Sequence, residues 1–123
     1  MSLARNNVLR GFSPGQAVGG TVNTAIAAAG STQANATTVN ADLGIVTGAD
    51  GTKGVILAGQ AGDSVTLFNN SGSTLKVYPP SGAAIAVPGT GLGTGDAAFS
   101  HLTYKTVTYV CLSATQWLPT VTA

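Results

Sequence analysis

The side chains able to do chemistry are few and scattered: one histidine, one cysteine, four aspartates and no glutamate in 123 residues. A nucleophilic triad can be written from His101, a serine and Asp63 or Asp96, but no motif supports it. His101 lies in Phe99-Ser100-His101-Leu102, at the end of a strand, where a solvent-facing or interface histidine is expected. One His, one Cys and no Glu leave a first-row metal site short of ligands. Asp42, Asp50, Asp63 and Asp96 lack the dense spacing of a calcium loop, and Asp50-Gly51 reads as a turn. The run from Gly89 to Gly95 resembles a phosphate loop only in composition. It lacks the Lys-Ser/Thr of a P-loop, has Thr94 where a dinucleotide fingerprint needs its third glycine, and precedes no strong helix. A flexible loop is the expectation. Cys111, between Val110 and Leu112, reads as a small buried hydrophobe, and a single cysteine excludes an intrachain disulfide. No catalytic, cofactor-binding or metal-binding residue is assigned on these grounds, and an enzyme is not expected.

Composition turns the reading toward assembly. Charged residues make up 7% of the chain, far below the usual quarter, so the surface must be built from Thr, Ser, Asn, Gly and Ala. A weakly charged surface is poorly protected against association, and the chain is expected as a homo-oligomer, a dimer or trimer. A net charge of +1 argues against nucleic acid as the main partner, because phosphate neutralisation needs clustered Lys and Arg. No stretch approaches 18 apolar residues and the N-terminus lacks an apolar signal core, so no membrane span and no export by a signal peptide are expected.

The elements that must position these residues are strands. Val65 and Leu67 alternate with polar residues, the turn formers Asn69 to Ser73 follow, and Leu75 and Val77 alternate again. This pattern predicts a β-hairpin whose pairing stops at Pro79-Pro80, where no N–H is available. Val65, Leu67, Leu75 and Val77 would face one core, and Thr66, Phe68, Lys76 and Tyr78 the opposite side. Upstream, Val39, Ala41, Leu43 and Ile45 alternate with polar residues as one half-buried strand. Gly54 to Ala58, Ala83 to Val87, Ala97 to Leu102, Lys105 to Leu112 and Gln116 to Thr122 are further strands. Seven or eight short strands spaced by turns predict an all-β fold, a jelly-roll-like sandwich or small barrel, over residues 31–123. Residues 1–30, interrupted by Gly11, Pro14, Gly15, Gly19 and Gly20, read as an extended N-terminal arm. Within it, Thr21 to Ala29 has Val22 and Ile26 four apart, the spacing of a short helix, but β-branched residues and Asn weaken that reading.

The segment from Gly30 to Ile85, followed by Thr108 to Trp117, resembles small β-rich virion proteins of tailed bacteriophages. The features in common are Ala-Gly-Asp before a strand, Asn and Gly in the turn after it, Val77-Tyr78-Pro79-Pro80 followed by Gly82 and Ile85, and Ser113-Ala114-Thr115-Gln116-Trp117 near the end. The resemblance implies a capsid cement or decoration protein that binds the outside of the shell, clamps neighbouring major capsid protein subunits, and is made in the host cytoplasm. A tail or fibre module contacting a host surface or another virion protein is the alternative. The candidate contact residues are Arg5, Arg10 and Phe12 on the arm, Phe68, Lys76 and Tyr78 on the outward side of the hairpin, and Trp117 as either core plug or interface anchor.

Overall fold

The computed structural model describes residues 21–93 and 95–121. Ten strands form two sheets: β1 (Val22–Ala27), β2 (Thr37–Thr38), β3 (Leu43–Thr47), β4 (Gly54–Ile56), β5 (Ser64–Asn69), β6 (Leu75–Tyr78), β7 (Ala84–Ile85), β8 (Phe99–His101), β9 (Thr106–Ser113) and β10 (Gln116–Val121). One 3-10 turn, Gln33–Asn35, is the only helical element among the described residues. No helix among them is long and apolar enough to cross a membrane.

The larger sheet has the order β1-β3-β5-β9-β10-β7 and the smaller the order β2-β4-β6-β8. From β1 to β6 the chain alternates between the two sheets, and successive visits to each sheet pair in parallel: β1 with β3 with β5, and β2 with β4 with β6. The chain therefore winds as a stack of flattened coils. The strands that open each coil in the larger sheet begin at Val22, Leu43 and Ser64, 21 residues apart. Only after β7 do antiparallel partners take over: β8 closes on β6, and β9 pairs with both β5 and β10.

The all-β class holds, and the core lies between the sheets. Val46, Leu67, Val107, Tyr109 and Trp117 from the larger sheet meet Val55, Leu75 and Val77 from the smaller one, all at most 1% exposed. Burial of this apolar surface is what holds two otherwise marginal sheets together. The parallel pairs depart from a jelly roll, which is built of antiparallel Greek keys.

The predicted hairpin does not form. β5 and β6 lie in different sheets, and the Asn69–Ser73 turn arches between them. Their backbone groups already have partners on both sides, β3 and β9 for β5, β4 and β8 for β6, which leaves nothing for a direct ladder. The predicted inward set is nonetheless correct. Val65, Leu67, Leu75 and Val77 are all buried, because an arch directs the alternate side chains of two facing strands into one interior just as alternation in a hairpin would. β6 ends at Tyr78, immediately before Pro79, as expected.

Two other expectations change. The single strand expected from Thr38 to Ile45 is interrupted: Val39 and Ala41 are buried between β2 and β3, but Leu43, at 49% exposure, and Ile45 point outward from β3. The chain crosses from the smaller to the larger sheet at Asn40–Asp42, and the alternation does not carry through a crossover. The last residues of the predicted arm belong to the sheet: Val22–Ala27 is β1, with Ile26 in the core, and not a helix. The arm residues before Thr21, including Arg5, Arg10 and Phe12, lie outside the described residues.

Candidate functional site

His101 is fully buried on β8, contrary to the expected exposed or interface position. Its Nε2 lies 2.6 Å from the carbonyl oxygen of Lys105, so Nε2 carries the hydrogen. Nδ1 then accepts from the Tyr109 hydroxyl at 2.9 Å. The ring is neutral, and burial pushes its pKa below the ordinary histidine value. Burial raises that of Tyr109, which keeps the hydroxyl protonated and able to donate. Both ring nitrogens are taken, so the triad with Asp63 or Asp96 is not assembled. Asp63 accepts from the Gln60 amide at 2.8 Å, and Asp96 accepts from Gln33 Nε2 at 3.0 Å and from the Gly82 amide at 2.9 Å.

The histidine belongs to a buried polar cluster that fastens two turns together. Asn69 Nδ2 donates to the carbonyls of Ser73 and His101 at 2.9 and 3.1 Å, and its Oδ1 is buried without a partner. Ser71 Oγ accepts from the Ala49 amide at 3.1 Å, and the Thr103 hydroxyl donates to the Ser71 carbonyl. On the surface above, Tyr104 holds a left-handed φ of 57° and is 61% exposed, its amide donating to Asn69 O at 2.8 Å. The cluster replaces the hydrogen bonds that the two turns would otherwise make with water.

The remaining chemical candidates are engaged in turns or in the core. The Gly89 segment is a tight turn in which the Thr90 amide donates to Val87 O at 2.9 Å, with φ of 80° at Gly89 and 115° at Gly91. Asp50 closes its turn by accepting from the Thr52 hydroxyl at 2.7 Å and from the amides of Thr52 and Lys53 at 2.9 and 3.0 Å, and these donors lower its pKa to about 2. Cys111 is buried as expected, with its thiol pKa raised by burial and its Sγ donating to Ser113 O at 3.1 Å. No group of three metal-capable side chains occurs among the described residues. A cleft of about 330 Å³, lined by Val39, Asp42, Gly59, Asp63 and Val65 among others, opens where the chain crosses between sheets. One oxygen of each carboxylate there is already used, by the Thr21 and Gln60 amides.

The predicted contact residues do not form one surface. Phe68 lies on the outer face of the larger sheet, partly buried, and Lys76 on the outer face of the smaller one. Tyr78 points to the same side as Lys76 by pairing parity but is only 8% exposed, its hydroxyl donating to Ser31 O at 3.3 Å beneath the segment before β2. Trp117 is 1% exposed and belongs to the core, so of its two expected roles the plug is the one seen.

What does form a continuous surface is the outer face of the larger sheet. Its cross-strand rows run Val22–Leu43–Thr66–Thr108–Thr120, Ile45–Phe68–Thr106 and Ser64–Val110–Leu118. No Lys, Arg, Asp or Glu stands on any strand of this sheet; among the described residues the only charged side chain on a strand is Lys76, in the smaller sheet. Thr66 and Thr108 hydrogen-bond to each other through their hydroxyls at 3.0 Å in the centre of the face. Of this face, the sequence places Thr66 and Phe68 outward and makes Phe68 alone a candidate contact. The missed signal is that alternate positions of five strands, read together, carry no charge. Comparison of this chain with protein-family models, with curated proteins and with solved structures finds no match in any of the three.

Proposed function

We propose that this chain is a structural protein of a tailed-phage virion that coats the outside of the icosahedral shell as a homo-oligomer and ties neighbouring major capsid protein subunits together. The observation that carries this reading is the charge-free outer face of the larger sheet, which supports its homo-oligomeric part. An uncharged face of Val, Leu, Ile, Phe and Thr gains about 25 cal/mol for each Å² of apolar surface removed from water, and it asks for a protein partner rather than a polyanion. Two sheets packed on one core give a body of fixed shape on which such a coat can be built. The role needs no cofactor, membrane or nucleic acid. Binding to the assembled shell but not to free subunits stabilises the shell by mass action, and many copies multiply a modest individual affinity.

Particles prepared with and without the protein should differ in resistance to heat and pressure, the complete ones surviving longer. Equal survival would refute the cementing role. One observation favours a second reading, a tail or fibre module: parallel coils stack along an axis, an architecture suited to elongated parts. Imaging of intact particles separates the two. Density repeated over the whole shell supports decoration, and density confined to the tail or one vertex supports the module.

A further inference from the structure

We infer that the outer face of the six-stranded sheet is the surface through which two copies of this chain pair, face to face about a twofold axis. The inference deepens the assembly reading above and rests on it for the expectation of a homo-oligomer. Three observations carry it.

The first is charge. A partner that presented lysine, arginine or carboxylates here would bury them against side chains with no charge to offer, which is costly. A partner without charges over a comparable area is needed, and a second copy supplies one. In an isologous pair each face meets itself, and a face with no charged group meets no like charge.

The second is polar satisfaction. The central hydroxyls, those of Thr66 and Thr108, are bonded to each other across the strands. They can therefore be covered without losing their hydrogen bond, whereas an unpaired hydroxyl would resist burial. Around them stand Leu43 and Leu112, each 49% exposed, with the partly covered Ile45, Phe68, Val110 and Leu118.

The third is that the sheet edges are poor sites for addition of a strand. β1 carries a bulge between Asn23 and Ile26, and Asn23 Oδ1 takes the Ala25 amide at 2.9 Å. At the other edge β7 is only two residues long. Bulged and short edges are how sheets avoid edge-to-edge pairing, so the face is the better route. Its five longer strands, spaced about 4.8 Å apart and about 20 Å long, give a face of roughly 500 Å² in projection. Corrugation by side chains enlarges this toward the roughly 800 Å² per partner of a standard interface.

Sedimentation equilibrium of the purified full-length chain tests the pairing without any shell present. The wild type should be a dimer at tens of micromolar, with association unchanged or strengthened by added salt. Thr108→Lys, at the centre, should weaken association roughly a hundred-fold by placing unpaired charge in the interface. Leu43→Lys, at a position already half exposed, should weaken it in the same direction with an unchanged melting temperature, which guards against misfolding of the first variant. Ser100→Lys, on the outer face of the smaller sheet, should leave the dimer intact. A monomer at every concentration, a closed trimer, or a dimer indifferent to both Leu43→Lys and Thr108→Lys would overturn the proposal. A monomer that still protects particles would overturn the pairing and leave the decorating role standing.

Discussion

Lowering the pH from about 7.5 to 5 should weaken this fold through a single buried side chain. His101 is fully buried, its Nε2–H committed to the Lys105 carbonyl and its Nδ1 to the Tyr109 hydroxyl. A second proton on the ring would turn Nδ1 into a donor facing a hydroxyl that donates to it, and would place a charge in the core. The folded protein therefore takes up that proton only below the pH at which an unfolded histidine does, near 6.5. Because the unfolded chain binds the proton first, the stability contribution is fully present above about pH 6.5 and declines as the pH falls. The slope is at most about 1.4 kcal/mol per pH unit until the folded pKa is reached. Between pH 6.5 and 5 the ceiling is about 2 kcal/mol, a substantial part of the 5–15 kcal/mol typical of a domain. Asp50, held at about 2 by its turn, acts in the same direction but only below the ordinary carboxylate range near 4, so the window isolates the histidine. The assay is urea unfolding at four pH values between 7.5 and 5 for the wild type and His101→Leu. The variant should start about 1–3 kcal/mol weaker at pH 7.5, with the Tyr109 hydroxyl and the Lys105 carbonyl each losing a partner, and should lack the histidine slope. A wild-type midpoint that does not move between pH 7.5 and 5, or one that falls equally in His101→Leu, would refute the reasoning.

Leu67→Ala should cost about 2–5 kcal/mol in chemical denaturation, the usual effect of deleting a fully buried leucine, whereas Phe68→Ala, on the outer face, should cost about 1 kcal/mol and show its larger effect in assembly. Gly54→Ala should destabilise by about 1–3 kcal/mol in the same assay, because a Cβ there would stand 2.6 Å from the Lys76 carbonyl oxygen and 2.8 Å from the Tyr78 ring; Gly72→Ala, with nothing within 4 Å, should be nearly silent. Cys111 should react with a thiol reagent slowly in the native protein and rapidly in denaturant, since the thiol is buried and its pKa is raised; fast labelling of the native protein would contradict its placement.

Strand positions and much of the inside–outside pattern were legible in the sequence, because alternation is a local signal that Val65, Leu67, Leu75 and Val77 carry without reference to partners. Which strand pairs with which was not. The turn Asn69–Ser73 suits a hairpin and an arch equally well, and the choice depends on strands far along the chain. The signal that distinguishes them is a spacing: Gly30, Gly51 and Gly72 stand 21 residues apart, as do Asp42 and Asp63, which is the mark of stacked coils rather than a meander. Alternation groups Leu43 and Ile45 with Val39 and Ala41, but it does not carry through Asn40–Asp42, where the chain changes sheets. The burial of His101 depends on partners that the fold brings to it, the Lys105 carbonyl that accepts from Nε2 and the Tyr109 hydroxyl that donates to Nδ1, and the first of these is a backbone atom that sequence does not display.

The winding of the first half of the chain makes length a quantised property. Each turn contributes one strand to each sheet and rests on the turn before it, so a whole unit of about 21 residues, inserted or removed between neighbouring turns, would shift the later strands along the stack by one strand spacing of about 4.8 Å while preserving which side chains face inward. A single-residue insertion within a strand has the opposite effect, reversing every following side chain between core and solvent. Variation in this half of the molecule should therefore come in complete turns or in the connecting bends, and the cap formed by β8, β9 and β10 could close a longer or a shorter stack without redesign.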